Sequence, residues 1–382
     1  GLSKKCSAIA PSATLAMDAR AKELRSQGVN VIGFAAGEPD FETPDPIREA
    51  MKEAMDLGMT RYTPAAGTLE LRRAIAARLL EDHGLVYGMD EIIVSNGAKH
   101  SLYNTFQAIL DPGDEVIVDK PCWVSYPEMV RMAGGVPVFL DCPESQGFLP
   151  SMADLEKLIT PRTKALMINS PNNPTGALMS KELLGSIVEI ARGVGAYILC
   201  DEVYRHLTQE DEWCESIVDL YEKGISVSSM SKVFSLAGLR MGWIATHDEA
   251  ARKAFLSHRD YNLISCGMFD DAIASIALRH SDVMLKRNQR IVRENLAILD
   301  DWIKENPHFF YTKPKAGTTA LVYYDFDIPS YEFCKRMYHE TGAFVTPGDC
   351  FEQPHSMRVG YACDVNTLRD GLAAVTKFAA TL

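Results

Sequence analysis

The stretch Ile225-Ser-Val-Ser-Ser-Met-Ser-Lys-Val-Phe-Ser-Leu-Ala-Gly-Leu-Arg240 joins a strand-like run to a turn that carries one lysine, Lys232. Ser229, Gly238 and Arg240 flank this lysine, so an amine, hydroxyls and a guanidinium follow a predicted strand. A lysine at a strand-to-loop junction is, taken alone, most often an exposed surface residue. A chemical role for Lys232 therefore depends on what the other strands carry at their ends.

Short apolar runs recur between residues 90 and 246, and stretches with helical spacing, such as 180–192, lie between them. This alternation predicts an α/β fold, with a mostly parallel seven-stranded sheet and helices on both faces. Such sheets bind ligands at the carboxyl ends of their strands. The seven predicted strands are Glu91–Ser95, Glu115–Asp119, Val136–Asp141, Ala165–Asn169, Tyr197–Asp201, Ile225–Ser229 and Met241–Thr246.

The rest of the chain has another pattern. A long amphipathic stretch over 282–306 precedes strand-like runs at 318–325 and 356–362 and a C-terminal helix from Asn366. This order predicts a smaller α+β domain. We divide the chain into an N-terminal segment that joins the small domain (1–45), a large cofactor-binding domain (46–289) and the small domain itself (290–382).

Composition narrows the functional classes. The chain has 382 residues, 47% of them hydrophobic, and a net charge of −12, which disfavours nucleic acid and anionic membranes as partners. The nine cysteines include no C-x-x-C pair, so neither a disulfide framework nor a zinc site is expected. No run approaches the length of a membrane span, and the first residues lack a secretory signal. A cytoplasmic location is the expectation.

The strand ends carry the groups that pyridoxal 5'-phosphate requires. A lysine forms a Schiff base with this aldehyde cofactor, which is an electron sink for amino acid carbanions. Its phosphate needs backbone donors at a helix N-terminus together with hydroxyl or cationic side chains. Gly97 and Ala98, which open a helical pattern after a strand, fit that need together with Ser229 and Arg240.

The pyridine ring has requirements of its own. Asp201 closes an apolar run and can keep the ring nitrogen protonated, while Tyr204 and Asn173 can donate to the ring hydroxyl and Trp123 can stack on the ring. Arg358, within a strand-like run, can bind a substrate carboxylate. Each residue also has a structural interpretation: a helix cap for Asp201, core for Trp123, a turn for Asn173, a structural ion pair for Arg358.

Together, these motifs resemble those of the class I aminotransferases, which are pyridoxal-phosphate enzymes with the aspartate aminotransferase fold. The resemblance spans the whole chain and is carried by the segment around Lys232, Asn173-Pro-Thr-Gly176, Asp201-Glu-Val-Tyr204, Gly37-Glu-Pro-Asp-Phe41 and Arg358. It implies that Lys232 holds the cofactor and moves the substrate proton, with Asp201, Tyr204, Asn173, Trp123 and Arg358 in the roles given above. It also implies that Gly37 lines the substrate pocket and that Tyr62 reaches the phosphate of a neighbouring subunit in a homodimer.

Within the family, the first half of the chain resembles bacterial aspartate aminotransferases. In that branch, residues matching Lys99, Ser12 and Thr14 contact the distal carboxylate of aspartate. The resemblance therefore implies transfer of an amino group from aspartate, or a similar acidic amino acid, to a 2-oxo acid such as 2-oxoglutarate. Members that also act on prephenate carry a basic residue where this chain has Ala10, which disfavours that activity.

The second half departs from the branch. The segment Asp260-Tyr-Asn-Leu-Ile-Ser-Cys-Gly-Met-Phe-Asp-Asp271 is more like that of relatives acting on other amino acids. Asp270 and Asp271 either face a cationic substrate or lie at a helix N-terminus. The alternatives are a pyridoxal-phosphate enzyme for an arginine-like or aromatic substrate, one catalysing β-elimination, racemisation or oxidation, and, least expected, a regulator with an aminotransferase-like domain.

Overall fold

The computed structural model describes residues 1–35, 43, 45–211 and 214–382, and only the backbone of residues 82 and 83. The helices within this part of the chain are α1 (Lys4–Ser7), α2 (Ala13–Ser26), α3 (Asp45–Asp56), α4 (Leu69–His83), α5 (Gly97–Ile109), α6 (Ser125–Met132), α7 (Met152–Leu158), α8 (Lys181–Val194), α9 (Ile217–Leu220), α10 (Glu249–Arg259), α11 (Met268–Arg279), α12 (Ser281–Glu305), α13 (Ser330–Thr341) and α14 (Val365–Ala379). The strands are β1 (Ile32–Gly33), β2 (Ile92–Ser95), β3 (Glu115–Lys120), β4 (Val136–Asp141), β5 (Thr163–Asn169), β6 (Tyr197–Asp201), β7 (Gly224–Ser229), β8 (Gly242–Ala245), β9 (Phe309–Phe310), β10 (Thr319–Tyr324), β11 (Ala343–Phe344), β12 (Thr346–Pro347) and β13 (Ser356–Gly360).

The large sheet confirms the predicted α/β architecture. Its seven strands run in the order β2-β8-β7-β6-β5-β3-β4, and β8 runs antiparallel to the other six. The central strands are buried along nearly their whole length because helices cover both faces, which explains their continuous apolar sequences. Two apolar cores result, one on each side of the sheet.

The sheet order brings distant segments of the chain to one edge. The parallel strands β3, β5, β6 and β7 end there, β2 ends beside them, and the antiparallel β8 begins there. The residues that follow each strand end therefore converge, although up to about 140 positions separate them in the sequence. This edge carries the candidate site.

A second, smaller sheet has the antiparallel order β12-β13-β10-β9, and β1 pairs in parallel with β11 beside it. The N-terminal segment thus reaches the C-terminal part of the chain. The long helix α12 contacts both parts: Asn288 Nδ2 donates to Val233 O at 2.6 Å, and Asn295 Nδ2 donates to Tyr361 O and Cys363 O, each at 2.8 Å. The boundary predicted at residue 289 falls within this continuous helix, and the predicted division stays a prediction.

Candidate active site

A cavity of about 450 Å³ opens at the carboxyl edge of the large sheet. Twelve of the residues predicted from the sequence line it, and they come from the strand ends, α2, α5 and β13. They are Ser12, Thr14, Ala98, Lys99, Trp123, Asn173, Asp201, Tyr204, Ser229, Lys232, Arg240 and Arg358.

Lys232 lies in the turn after β7 and is half-buried at the cavity wall. The strand ends at Ser229, which is 2% exposed and whose Oγ accepts a hydrogen bond from Ser231 N at 3.2 Å. This local bond fixes the start of the turn. Lys232 therefore follows a fixed strand end and lines the cavity together with Ser229 and Ser231, a suitable setting for covalent chemistry with a carbonyl group.

Asp201 ends β6 and is 3% exposed. Its Oδ2 accepts a hydrogen bond from Tyr126 Oη at 2.6 Å, and its Oδ1 accepts one from Val203 N at 3.2 Å. Burial raises the pKa of Asp201 to about 6, whereas the two hydrogen bonds and the charge of Lys232 act in the opposite direction. Asp201 is therefore mostly an anion at neutral pH, and it faces the cavity rather than capping a helix.

Tyr204 and Asn173 approach the same cavity from neighbouring loops. Burial raises the pKa of Tyr204 to about 12, so its phenol keeps its proton. The side chain of Asn173 interacts with Tyr204, and its Oδ1 accepts a hydrogen bond from Arg358 Nη1 at 3.3 Å. Tyr204 and Asn173 can both bond an oxygen atom of a ligand placed between them and Lys232.

Arg358 is a buried arginine on β13, 5% exposed. Its Nη2 donates to Ala35 O at 2.9 Å, and its guanidinium lies 5.1 Å from the ring centroid of Phe351. Its Nε is buried and has no hydrogen-bond partner among the described residues. Burial lowers the pKa of Arg358, and the charge of Tyr204 opposes this effect. A buried guanidinium with an unused donor at a cavity can bind a carboxylate.

The N-terminus of α5 forms one end of the cavity. The side chain of its N-cap residue, Asn96, makes no capping hydrogen bond. Gly97 has a φ of +83°, and a Cβ there would lie 2.6 Å from Arg240 Nη2, so only glycine lets the guanidinium approach the helix. A Cβ at Gly242 would meet Ala98 N at 3.0 Å, so glycine also permits the close contact between β8 and α5. Open backbone donors and an adjacent arginine suit a phosphate.

Trp123 and Lys99 form the adjoining wall. Lys99 Nζ lies 4.7 Å from the ring centroid of Trp123, whose ring meets Tyr126 edge to face at a centroid distance of 5.4 Å. Burial, and then the charge of Arg240, lower the pKa of Lys99. Ser12, which also lines the cavity, caps α2: its Oγ accepts a hydrogen bond from Leu15 N at 3.3 Å and is 3.3 Å from Thr14 Oγ1.

Two predicted residues, Gly97 and Tyr62, are not among the described residues that line the cavity. Gly97 lies directly behind Ala98 at the helix terminus. Tyr62 is 85% exposed on the outer surface, and Gly37 falls outside the described residues. Asp271 also lies away from the cavity: its carboxylate accepts from Thr68 N at 3.0 Å and Thr68 Oγ1 at 2.5 Å, so it joins α11 to the start of α4.

Several residues that line the cavity were not predicted from the sequence. Tyr126 lies three residues after the predicted Trp123 but received no role, and its bond to Asp201 joins residues 75 positions apart. Asn169 ends β5 at the same sheet edge as Asp201, a position that could have identified it. Asp18 lies one helical turn after Thr14, so helical spacing from Thr14 could have identified it as a residue of the cavity.

The chain belongs to the aminotransferase class I and II family, whose model matches residues 29–375. The fold prediction is confirmed by similarity to solved structures. An aspartate aminotransferase from Thermus thermophilus with maleate has a TM-score of 0.93 at 36% identity, and the match covers 99% of both chains. An aspartate aminotransferase from Thermotoga maritima also has a TM-score of 0.93, at 32% identity, covering 99% of this chain and 100% of that one.

Sequence relatives agree with this assignment. A probable aspartate/prephenate aminotransferase of Aquifex aeolicus is 37% identical, over 99% of this chain and 98% of that protein. The aspartate aminotransferase of Bacillus subtilis is 36% identical with the same coverage. The aspartate/prephenate aminotransferase of Thermus thermophilus is 47% identical over a shorter match, which covers 64% of this chain and 63% of that protein. The chain is thus an aspartate aminotransferase-like transaminase.

Proposed function

We propose that this chain is a pyridoxal-phosphate-dependent aminotransferase that moves an amino group from aspartate, or a similar acidic amino acid, to a 2-oxo acid such as 2-oxoglutarate. The observation that carries the proposal is the convergence of Lys232, Asp201 and Arg358 on one cavity. The amine of Lys232 matches the cofactor aldehyde, and the buried carboxylate of Asp201 matches the ring nitrogen. The buried guanidinium of Arg358 matches the substrate carboxylate.

The cavity fits pyridoxal phosphate on chemical grounds. When bound, this group supplies an electron sink for a carbanion at the substrate Cα. Asp201 would hold the ring nitrogen in its protonated form, because a carboxylate that is ionised at neutral pH pairs with a cation. The uncapped start of α5, with Gly97, Ala98, Ser229 and Arg240, would hold the phosphate. Tyr204 and Asn173 would bond the ring oxygen, and Trp123 would stack on the ring.

The substrate would be held by its carboxylates and deprotonated at Cα. Arg358 would bind the α-carboxylate through its Nε and one Nη. Lys99, with Ser12 and Thr14, would contact a distal carboxylate, a role supported by the relative whose solved structure contains the dicarboxylate maleate. Lys232 Nζ would accept the proton from Cα and later return it, acting as the general base and acid of both half-reactions.

Amino transfer is tested by its products. Incubation with aspartate and 2-oxoglutarate should give glutamate and oxaloacetate in equal amounts. Release of ammonia or peroxide without glutamate would instead indicate elimination or oxidation on the same cofactor. Lys232→Ala should lose both turnover and the visible absorbance of the bound cofactor, whereas Lys253→Ala, at an exposed lysine of α10, should keep both.

A homodimer with shared sites follows from the same proposal. Tyr62 and Tyr261 are 85% and 92% exposed, and their segments are joined by a hydrogen bond from Thr63 Oγ1 to Cys266 O at 2.9 Å. Exposed aromatic side chains of this kind support association with a second copy. Tyr62 would then reach the cofactor phosphate of the partner.

Complementation tests the shared site. Lys232→Ala and Tyr62→Ala subunits should each form nearly inactive homodimers, and mixing them after dissociation should restore activity. The mixed dimer has one site in which Lys232 and the tyrosine of the other subunit are both intact. If mixing restores nothing while light scattering still reports dimers, Tyr62 does not act across the interface.

We also propose that the protein functions in the cytoplasm. None of its nine cysteines forms a disulfide bond, and seven of them are buried, which agrees with a reducing compartment. No helix within the described residues is long and apolar enough to span a membrane.

A further inference from the structure

One charged residue of the cavity has no part in the function proposed above. The described residues contribute two carboxylates to the cavity wall, those of Asp201 and Asp18. Asp201 is held by Tyr126 and by the backbone, whereas no described residue donates a hydrogen bond to the Asp18 carboxylate or forms an ion pair with it. Asp18 is half-buried and therefore only partly screened by solvent.

The geometry of α2 aims Asp18 at the substrate space. Thr14, Leu15 and Asp18 all line the cavity, and their spacing puts them on one face of this helix. Helical side chains lean toward the N-terminus, so Asp18 lies over the turn that carries Thr14. The charge of Asp18 also acts on Arg358, where it opposes the lowering of that arginine's pKa by burial. Asp18 is thus within electrostatic range of the guanidinium that would hold the substrate.

The charge at this position conflicts with a site built for dicarboxylates alone. Lys99 attracts a distal carboxylate from the Trp123 wall, whereas Asp18 repels it from the α2 wall. A positively charged distal group is attracted by Asp18 and repelled by Lys99. A neutral distal group is affected little by either charge. Asp18 therefore reduces the preference for negatively charged over positively charged distal groups that Lys99 alone would give.

We propose that Asp18 is a specificity-determining residue: its charge lets the site accept amino donors with a positively charged distal group in addition to acidic donors. This proposal rests on the proposed function. The chemical class is that of amino acids with an ω-amine or a guanidinium. Asp18 would pair with that group while Arg358 holds the α-carboxylate.

The test compares the holoenzyme with Asp18→Asn, which removes the charge and keeps the shape. We would measure kcat/KM of the first half-reaction with aspartate, norvaline and ornithine, whose distal groups are negative, neutral and positive. Glu23→Gln is the matched control, because Glu23 is on the same helix and pairs on the surface with Arg20. Because Asp18 is half-buried, we take the upper end of the range for exposed ion pairs, about 1 kcal/mol, so kcat/KM for each charged donor should change by about fivefold.

Asp18→Asn should raise kcat/KM for aspartate and lower it for ornithine, each by about fivefold, while norvaline changes less than twofold. The proposal is overturned if the aspartate-to-ornithine ratio changes less than twofold, or if Glu23→Gln changes it as much. Titration with maleate, which cannot react, gives a second readout: the variant should bind it about fivefold more tightly. If the wild type binds maleate but transfers no amino group from any donor, the proposed function fails, and the two maleate affinities still decide the role of Asp18.

Discussion

The hydrogen bond from Tyr126 to Asp201 should set the pH range in which the site accepts its cofactor. Tyr126 is 1% exposed, and its Oη donates to Asp201 Oδ2 at 2.6 Å. The substitution Tyr126→Phe removes this donor and leaves the ring in place. Because the bond stabilises the ionised carboxylate, its loss should raise the pKa of Asp201 above its value of about 6.

The size of the effect follows from the kind of bond. A hydrogen bond to a charged group contributes about 1.5–3 kcal/mol, and one pKa unit corresponds to about 1.4 kcal/mol. The pKa of Asp201 should therefore rise by about 1–2 units in Tyr126→Phe. At pH 7 the wild-type carboxylate is mostly ionised, whereas at least about half of it would be protonated in the variant.

The assay is the affinity of the apoprotein for pyridoxal phosphate as a function of pH. Affinity should rise with pH through the pKa of Asp201, and the midpoint of this rise should lie about 1–2 units higher in Tyr126→Phe than in the wild type. Tyr103→Phe, at a half-buried tyrosine of α5 that does not line the cavity, is the control and should leave the midpoint unchanged. Equal midpoints for Tyr126→Phe and the wild type would refute the reasoning.

Two further predictions concern single residues. Burial raises the pKa of Asp119 from its ordinary 3.8 to about 7. Ionisation of Asp119 should therefore lower the free energy of unfolding as pH rises from about 4 to about 7, and above pH 7 this loss should reach about 4 kcal/mol. Asp119→Asn should therefore be more stable than the wild type at pH 8 and differ less at pH 5; an unchanged pH dependence of denaturant unfolding would contradict this. Gly97→Ala places a Cβ 2.6 Å from Arg240 Nη2 at a φ of +83°. We expect the dissociation constant of pyridoxal phosphate to rise at least about tenfold, because the displaced guanidinium would lose a charge-assisted hydrogen bond to the phosphate, which contributes about 1.5–3 kcal/mol. Gly185→Ala, where a Cβ meets nothing within 4 Å, should leave that constant unchanged in equilibrium dialysis, and equal constants for both variants would argue against the phosphate cradle.

The sheet was predictable because its strands are buried on both faces. Continuous apolar runs such as Ala165–Asn169 and Tyr197–Asp201 reappear as β5 and β6 with changes of no more than two residues at their ends. Parallel strands end at one edge of a sheet, so Asp201, Ser229 and the residues after them could be assigned to one site from sequence order alone.

The missed features depend on tertiary contacts that no local pattern encodes. Tyr126 belongs to the site only because its phenol reaches a strand 75 residues later in the sequence. From the sequence, Asp270 and Asp271 could either face a cationic substrate or lie at a helix N-terminus. For Asp271 a tertiary contact decides against the substrate role, because Thr68, 203 positions away, binds its carboxylate. Asp18 resembles any half-buried acid of an amphipathic helix until the cavity beside α2 is known.

Chemical trapping at Lys232 tests the central claim most directly. The holoenzyme would be reduced with borohydride and digested, and the peptides analysed by mass spectrometry. Our account predicts a phosphopyridoxyl group on Lys232 and on no other lysine, and no label in Lys232→Ala. Labelling of Lys99, the other lysine among the described residues that line the cavity, or an unlabelled Lys232 peptide in active enzyme would contradict the assignment.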